Sequence, residues 1–288
     1  MHNPSFEDIQ QAAVTIAPYA HKTPVLSSSI LNQHFGCELF FKCENFQKVG
    51  AFKFRGGCNA VFNIAESELS KGVATHSSGN HAQAVALAAR MRGIQATIVM
   101  PENAPAVKVA AVRDYGATIE FCPPTIQSRE EGLKAVQARM GATEIHPYDN
   151  FYVIAGQGTA ALEFHQEING LDFLLAPVGG GGLLSGSALA SKAISSSTQV
   201  IGCEPANADD AYRSFKSGER ITDVVPNTIA DGLRTTVGQL TFPIIQRYVD
   251  DICTVSEEAI VEAMRLIWSR MKIIIEPSCA VPLAALME

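Results

Sequence analysis

The sequence lacks an excess of basic residues, which is the feature expected of a protein that binds nucleic acid or an anionic membrane. Its 288 residues include 22 Lys and Arg against 29 Asp and Glu, giving a net charge of -7 and a pI of about 5.5. Such a surface repels polyanions. We therefore expect neither a nucleic-acid partner nor a membrane partner.

Long apolar runs and cysteine pairs are also missing. No apolar stretch approaches the roughly 20 residues of a membrane-spanning helix, and residues 1–8 lack the basic and apolar regions of a secretory signal. The seven cysteines are scattered, with no C-x-x-C pair and no cysteine–histidine cluster at zinc spacing. Scattered cysteines of this kind are typical of buried thiols in the reducing cytosol, so we expect a cytoplasmic protein.

What the sequence does contain is a regular alternation of strands and helices. The predicted strands are 38–43, 72–75, 96–100, 117–121, 143–146, 171–178, 200–203 and 251–255. The predicted helices are 4–20, 80–91, 106–115, 126–140, 159–168, 183–194, 256–271 and 280–286. This alternation predicts an α/β fold in which helices cover both faces of parallel sheets.

The predicted domain joints lie near residue 72 and between residues 147 and 154, where strand–helix units meet turn-rich segments. They divide the chain into a large discontinuous domain, residues 1–71 and 150–288, and a small α/β domain, residues 72–149. Residues 206–242 are predicted to be one long irregular region, and long loops in compact domains tend to be functional.

One lysine, Lys53, lies between two phenylalanines in the glycine-flanked segment Gly50–Gly57. The segment follows a predicted strand and precedes a predicted helix through residues 59–62. Its aromatic neighbours should exclude water from the amine, which lowers a lysine pKa and makes the amine a better nucleophile or base. Taken alone, this pattern more often indicates a structural lysine at a helix start, with its stem lying on aromatic side chains, than a reactive amine. Two further loops favour the functional interpretation.

The first of these loops is a run of four glycines, Gly179 to Gly182, between an apolar strand and a helix. A helix N-terminus presents free N–H groups and the positive end of a dipole, and glycines let a phosphate approach them. Four glycines also lose much conformational entropy on folding, which argues against a merely flexible turn. The pattern is neither the P-loop nor the dinucleotide-binding motif, but it predicts a phosphate site.

The second loop, residues 75–81, also lies between a strand and a helix. Ser77, Ser78 or Asn80 could simply cap the helix. The carboxyl ends of parallel strands, however, are where α/β proteins bind small molecules. In a ligand site Ser78 would act as acid or base, and Asn80 would donate to a ring oxygen or a carboxylate. His76 and His81 have no partner at metal-ligand spacing, and we interpret both as structural.

A desolvated lysine, a phosphate site and a polar strand-end loop together fit pyridoxal 5'-phosphate (PLP), which needs a Schiff-base lysine, a phosphate clamp and groups that tune its ring. Four motifs carry a resemblance to a known family: residues 51–56 (AFKFRG), 77–81 (SSGNH), 156–159 (GQGT) and 179–183 (GGGGL). The sequence resembles the serine racemase/threonine dehydratase family of fold-type-II PLP enzymes from about residue 9 to residue 282. Within that family its motifs look closest to microbial serine racemases and L-threo-3-hydroxyaspartate ammonia-lyases.

The resemblance implies two parallel-rich α/β domains with PLP in the cleft between them, the large domain being the one that binds PLP. Lys53 would hold the cofactor as a Schiff base and then remove the Cα proton, with Ser78 as the acid or base on the opposite face of the ring. The implied cofactor-binding residues are Phe52, Lys53, Asn80, Gly179, Gly180, Gly181, Gly182 and Leu183.

The resemblance also implies sites for the substrate and for a divalent cation. The residues implied to bind the amino-acid substrate are Ser77, Ser78, Gly79, Asn80, His81 and Arg129. By itself, Arg129 is interpreted equally well as a surface residue at a helix start. Glu204, the Ala208 carbonyl and Asp210 would bind Mg²⁺ or Mn²⁺, although their spacing alone is also that of a solvated loop.

The implied reaction is β-elimination from L-serine, L-threonine or L-threo-3-hydroxyaspartate, giving a 2-keto acid and ammonia. Reprotonation by Ser78 would instead racemise serine. Two alternatives remain: a β-replacing PLP transferase of the cysteine-synthase type, and a non-catalytic PLP-binding relative. The context of Arg55 and the acidic segment 204–210 argue against the first, and the presence of both Lys53 and Ser78 argues against the second. Family habit predicts a homodimer.

Two features depart from the family pattern. Many relatives have serine where this sequence has Ala51. In the family, a serine or threonine in a Ser-Gly-Gly-Asn-like turn of the last strand contacts the pyridine nitrogen, and the resemblance places that turn beyond residue 288.

Overall fold

The structure, a computed structural model, describes residues 3–288. Its strands are β1 (Val25–Ser27), β2 (Phe40–Lys42), β3 (Val73–His76), β4 (Ala96–Pro101), β5 (Thr118–Cys122), β6 (Thr143–Glu144), β7 (Phe173–Pro177), β8 (Gln199–Pro205) and β9 (Asp251–Val255). Its helices are α1 (Phe6–Ile16), α2 (Ser29–Phe35), α3 (Lys53–Phe62), α4 (Asn80–Arg92), α5 (Ala106–Asp114), α6 (Ile126–Met140), α7 (Phe151–Glu167), α8 (Gly182–Ile194), α9 (Asp210–Ser217), α10 (Thr241–Tyr248), α11 (Glu257–Leu266) and α12 (Pro277–Ala284).

The strands form two parallel sheets and one short antiparallel pair. The first parallel sheet has the order β5-β4-β3-β6, the second has the order β7-β8-β9, and β1 pairs with β2 in the antiparallel sense. This confirms the predicted α/β class with two parallel-rich units. The four-stranded sheet falls within residues 72–149 and the three-stranded sheet within residues 150–288, while the domain boundaries themselves stay a prediction.

Strand β4 is an example of a strand that is covered on both faces of its sheet. All six of its residues are buried, which is typical of a strand between two helical layers. Fully burying a residue such as Ile98 contributes roughly 1.5–3 kcal/mol relative to leaving it exposed. The helix before it, α4, presents a surface of small buried alanines and ends at Gly93, which takes the left-handed conformation of a helix C-cap.

Helix α7 fixes the beginnings of α3 and α8 relative to each other. A Cβ atom at Gly156 would lie 2.6 Å from the Cα atom of Gly56 in α3. A Cβ atom at Gly158 would lie 2.8 Å from the carbonyl oxygen of Gly186 in α8. Glycine is required because the backbones touch, and the GQGT motif therefore packs three helices together. Lys53 starts α3 and the glycine run leads into α8, so this packing positions both.

Several predicted elements differ from the observed ones. Helix α7 begins at residue 151, because Asn150 caps it by accepting the Val153 N–H; the prediction of 159 was wrong because the turn-forming residues before it obscured the start. The region 206–242 is not wholly irregular, since it contains α9 and the start of α10. Helix α1 ends at residue 16, and α11 ends at residue 266 in a π-turn.

No helix within residues 3–288 is both long enough and apolar enough to span a bilayer. The seven cysteines all lie in this range and all are free thiols. Cys37 is exposed, which corrects the expectation that the thiols are buried, whereas Cys43, Cys58, Cys122 and Cys203 are buried and the other two are partly so.

Candidate active site

The Lys53 amine lies at the start of α3 in partly buried surroundings. Its Nζ donates a hydrogen bond to the Pro147 carbonyl at 2.9 Å and lies 5.3 Å from the centre of the Phe52 ring. Burial lowers the pKa of Lys53 to about 8, although the charge of Glu276 acts in the opposite direction. The lowered pKa agrees with the sequence prediction. Phe52 is the flanking aromatic beside the amine, while Phe54 packs fully buried in the core.

Two residues further along α3, Arg55 is a buried cation that is fully paired. Its Nε donates to Glu44 Oε2 at 2.7 Å, and its Nη1 donates to Glu163 Oε1 at 2.8 Å. Glu163 also pairs with Lys42 at 2.9 Å. Burial alone would lower the pKa of Arg55, but the two carboxylates raise it. This network ties the first turn of α3 to α7, so Lys53 projects from a fixed helix end.

The turn from Gly179 to Gly182 has no room for side chains. Gly181 has a φ of +88°, in the region that favours glycine. A Cβ atom at Gly180 would lie 2.2 Å from the Tyr148 ring. The first N–H groups of α8 have no acceptor within the helix. A side-chain-free turn that leads into a helix N-terminus has the form of a phosphate site, and its role in binding PLP stays a prediction.

The segment Ser77–His81 joins β3 to α4 at the carboxyl edge of the four-stranded sheet. His81 is buried, and its Nε2 bonds the Ile145 carbonyl at 2.8 Å. Burial lowers the pKa of His81 to about 3, with the charge of Lys53 acting in the same direction, so the ring is neutral. The partly exposed members of the loop are Ser77, Ser78, Gly79 and Asn80. The loop is therefore anchored at its helix end and accessible before it.

Asn80 contacts a carboxylate that no sequence motif marks. Its Nδ2 lies 3.0 Å from Oε2 and 3.2 Å from Oε1 of Glu276, the residue before α12. Burial raises the pKa of Glu276, and the hydrogen bond from Asn80 acts in the opposite direction. The charge of Glu276 also acts on Lys53. Glu276 is 196 positions from Asn80 in the sequence, so only the fold reveals that it orients this amide.

The segment Ile145–Asp149, which follows β6, connects Lys53 with the glycine turn. Pro147 accepts the hydrogen bond from Lys53. The next residue, Tyr148, places its ring against Gly180. His146 Nδ1 accepts the backbone N–H of Asp149 at 2.9 Å, and burial lowers the pKa of His146 to about 4, which keeps this acceptor unprotonated. Apart from its turn-forming residues, no sequence pattern marks this segment as part of a site.

Glu204 and Asp210 lie together at the end of β8 and the start of α9. Glu204 accepts backbone N–H groups of Ala211 at 3.1 Å and Tyr212 at 2.8 Å. Burial and then the charge of Asp210 raise the pKa of Glu204 to about 9, and burial raises that of Asp210 to about 6. Within residues 3–288 there is no group of three or more His, Cys, Asp and Glu suited to a metal ion. Carboxylate oxygens are nevertheless ligands that Mg²⁺ prefers, and the cation site at Glu204, Ala208 and Asp210 stays a prediction.

Arg129 lies in the first turn of α6. Its Nε is buried and has no hydrogen-bond partner among residues 3–288. Burial lowers the pKa of His76, which ends β3, and raises the pKa of Cys122, which ends β5, while the positive charge of Arg129 acts to lower both. Arg129 therefore lies at the same carboxyl edge of the four-stranded sheet as the loop Ser77–His81.

The structure thus brings together Lys53, the loop Ser77–His81 and the glycine turn, while Glu204 and Asp210 form a separate cluster. A cavity of about 250 Å³ lies elsewhere, at the far end of α3 from Lys53. Its lining includes Asn63, Glu144 and Tyr152 and none of the predicted site residues. The arrangement around Lys53 can attach a carbonyl compound, bind a phosphate nearby and accept a proton.

Comparison with known families agrees with this geometry. Residues 16–288 match the family described as pyridoxal-phosphate dependent enzyme. The match contains every predicted cofactor, substrate and cation residue.

Individual relatives cover nearly the whole chain. The serine racemase of Dictyostelium discoideum is 51% identical over 99% of this chain and 88% of the relative. The beta-hydroxyaspartate dehydratase of Paracoccus denitrificans is 48% identical over 100% of this chain and 91% of the relative. The solved structure of maize serine racemase superposes with a TM-score of 0.98 at 48% identity, covering 100% of this chain and 87% of that one.

Proposed function

This chain belongs to the family of pyridoxal-phosphate dependent enzymes, and from that premise we propose that it catalyses β-elimination from a β-hydroxy amino acid. The products would be a 2-keto acid and ammonia. The observation that carries the proposal is the Lys53 amine with its pKa of about 8, beside both the glycine turn and the loop Ser77–His81. Relatives named as a hydroxyaspartate dehydratase and as serine racemases support this class of substrate.

When bound, PLP supplies an electron-withdrawing ring that stabilises the electron pair left at Cα after proton removal. The proposed attachment point is Lys53, with Phe52 beside it. Lys53 would also take the proton from the substrate Cα, and a pKa near 8 suits a base at neutral pH. The turn Gly179–Gly182 with Leu183 would bind the phosphate, and Asn80 would bind the ring 3-oxygen.

The substrate carboxylate would bind the donors of the loop Ser77–His81. We expect Arg129 to bind a second carboxylate, because its buried Nε has no partner among residues 3–288 and a guanidinium is well suited to a carboxylate. Purified protein would be assayed for keto-acid release from L-serine, L-threonine and L-threo-3-hydroxyaspartate. The Arg129→Gln variant should raise KM about tenfold for 3-hydroxyaspartate and much less for L-serine. Equal changes for both substrates would contradict this role of Arg129.

A second activity, serine racemisation, is favoured by Ser78 in the SSGNH segment and by the relatives named serine racemase. Ser78 would protonate Cα from the face opposite Lys53. The Ser78→Ala variant should then lose D-serine formation from L-serine, measured by chiral chromatography, while keto-acid formation continues. Formation of D-serine at the unchanged rate would remove Ser78 from this role.

The proposed cation site consists of Glu204, the Ala208 carbonyl and Asp210, with Mg²⁺ or Mn²⁺ as the ion. Oxygen donors support it, as do two buried carboxylates that have no cationic partner in direct contact among residues 3–288. We further propose a cytoplasmic homodimer. The free thiols support a reducing compartment, and light scattering after size exclusion would measure the oligomeric state.

A further inference from the structure

The side chain of Thr241 contacts the glycine turn, and Asp149 bonds the backbone N–H groups at and before Thr241. We infer that these two residues position the backbone of the turn for phosphate binding. The inference rests on the proposed function, in which this turn binds the phosphate of PLP. Thr241 bonds the turn directly, and Asp149 acts on the turn through Thr241. Neither is among the residues that the family resemblance placed at the cofactor.

Thr241 acts directly on the turn. Its Oγ1 donates a hydrogen bond to the Gly180 carbonyl at 2.8 Å and accepts the N–H of Gly238 at 2.9 Å. The Gly238 N–H also lies 3.2 Å from the Gly180 carbonyl. Thr241 is fully buried, so water does not compete for these bonds. The orientation of the peptide group that joins Gly180 to Gly181 is therefore set by the Thr241 hydroxyl together with the Gly238 N–H.

An external support of this kind is needed because the turn has no side chains of its own. Glycine has the largest backbone freedom of any residue, and Gly181 adopts a φ of +88°. Phosphate binding requires the N–H groups of the turn to converge on one point. Fixing the Gly180 carbonyl fixes the N–H on the opposite side of the same peptide plane.

Asp149 positions Thr241 in turn. Its Oδ1 accepts the N–H of Leu240 at 2.6 Å and lies 3.4 Å from the N–H of Thr241, and its Oδ2 accepts the N–H of Gln239 at 2.9 Å. These groups form the N-terminus of α10, where a carboxylate is favourable. Asp149 lies two residues after Pro147, the partner of Lys53. The segment from Pro147 to Asp149 thus contacts both the Lys53 amine and the backbone of Thr241, which in turn bonds the glycine turn.

The test compares PLP with pyridoxal, which has the same ring and aldehyde but no phosphate. Each would be titrated into apoprotein, with the Schiff-base absorbance as readout. The Thr241→Val variant removes the hydroxyl at nearly constant volume, and Thr241→Ser restores it. We expect Thr241→Val to raise the Kd for PLP about tenfold, because the Gly180 carbonyl loses the buried hydrogen bond from the hydroxyl. The Kd for pyridoxal should stay within about twofold, and Thr241→Ser should behave like wild type.

Asp149 supplies the second arm of the test. The Asp149→Ala variant should weaken PLP binding by roughly tenfold or more because three N–H groups lose their acceptor. Asp149→Asn, which keeps one acceptor oxygen, should have a smaller effect. The melting temperature of each apoprotein would show whether the variant is folded.

Two results would overturn the inference. One is an unchanged PLP affinity in Thr241→Val. The other is an equal loss of affinity for PLP and pyridoxal, which would indicate a general disturbance of the site. If wild-type apoprotein bound no PLP at all, this result would contradict the proposed function itself and therefore also the inference that rests on it.

Discussion

Lys53 and Arg55 both lie in the first turn of α3, and their surroundings shift their pKa values in opposite directions. Arg55 donates to two carboxylates at 2.7 and 2.8 Å, and these raise its pKa. Lys53 bonds a neutral carbonyl, and burial lowers its pKa to about 8. A buried cation with full pairing keeps its charge and fixes the fold, whereas one without a carboxylate in contact can exist as a neutral nucleophile.

The largest effect that separates the two residues should be on catalysis. We expect Lys53→Ala to lower keto-acid formation by ~10³-fold or more, because it removes both the attachment point and the base. The control is Lys48→Ala, which removes a nearby lysine whose ammonium lies 5.7 Å from the Phe54 ring centre. Near wild-type turnover in purified Lys53→Ala would contradict the assignment.

The second-largest effect should be on stability, and it should result from substitution of Arg55. Arg55→Leu removes the buried guanidinium that Glu44 contacts and leaves Glu163 with Lys42 as its remaining ion-pair partner, and removal of one partner of a buried pair typically costs about 3–5 kcal/mol. Lys53→Leu removes a cation that has no such pair and should not lower the free energy of unfolding. Urea denaturation of the two apoproteins would measure both values. Equal destabilisation by the two changes would invalidate the distinction.

The carboxylate pair Glu204 and Asp210 extends the comparison to buried charges of the other sign. Burial raises the pKa of Glu204 to about 9, so the folded state binds more protons than the unfolded state between about pH 4.5 and 9. Stability therefore falls as pH rises through this window. Bound Mg²⁺ should offset that loss, by about 2.7 kcal/mol at a concentration 100 times its Kd.

The variant that tests this effect is Glu204→Gln. At pH 8 its apoprotein should melt higher than wild type, because glutamine is neutral in both states and avoids the cost of protonating the Glu204 carboxylate on folding. The increase in melting temperature that Mg²⁺ gives wild type should be absent. An equal Mg²⁺ response in both proteins would place the cation elsewhere.

The smallest effect is the pH dependence that Lys53 itself contributes. Its pKa is lower in the folded state, about 8 against 10.5, so the unfolded state binds the extra proton between these values. Stability should therefore rise with pH through that window. Subtracting the profile of Lys53→Met from that of wild-type apoprotein would isolate this slope. Arg55 should add no slope there because it stays protonated, and a flat difference profile would mean that the Lys53 pKa is not lowered.

Sequence predicted the parts of the site that are contiguous in the chain. Lys53, the loop Ser77–His81 and the glycine turn each combine a strand end, a short loop and a helix start, which local patterns report. The partners of these segments were not predictable in the same way. Glu276 reaches Asn80 across 196 positions, and Thr241 reaches Gly180 across 61.

Packing explains other differences between sequence and structure. The glycines of the GQGT motif bring α7 into backbone contact with α3 and α8, a function that only the three-dimensional arrangement shows. The start of α7 was hidden because Pro147, Asp149 and Asn150 are typical of turns. In the structure the same three residues bind Lys53, cap α10 and cap α7.

The most direct test of the contrast between the two cations is to load the protein with PLP, reduce it with borohydride and locate the modified residue by peptide mass spectrometry. Reduction makes the lysine–cofactor bond permanent, so the position of the label identifies the nucleophilic amine. We predict stoichiometric labelling of Lys53 and none of Lys42 or Lys48. A label spread over several lysines, or carried by one other than Lys53, would contradict the assignment of Lys53 as the reactive amine.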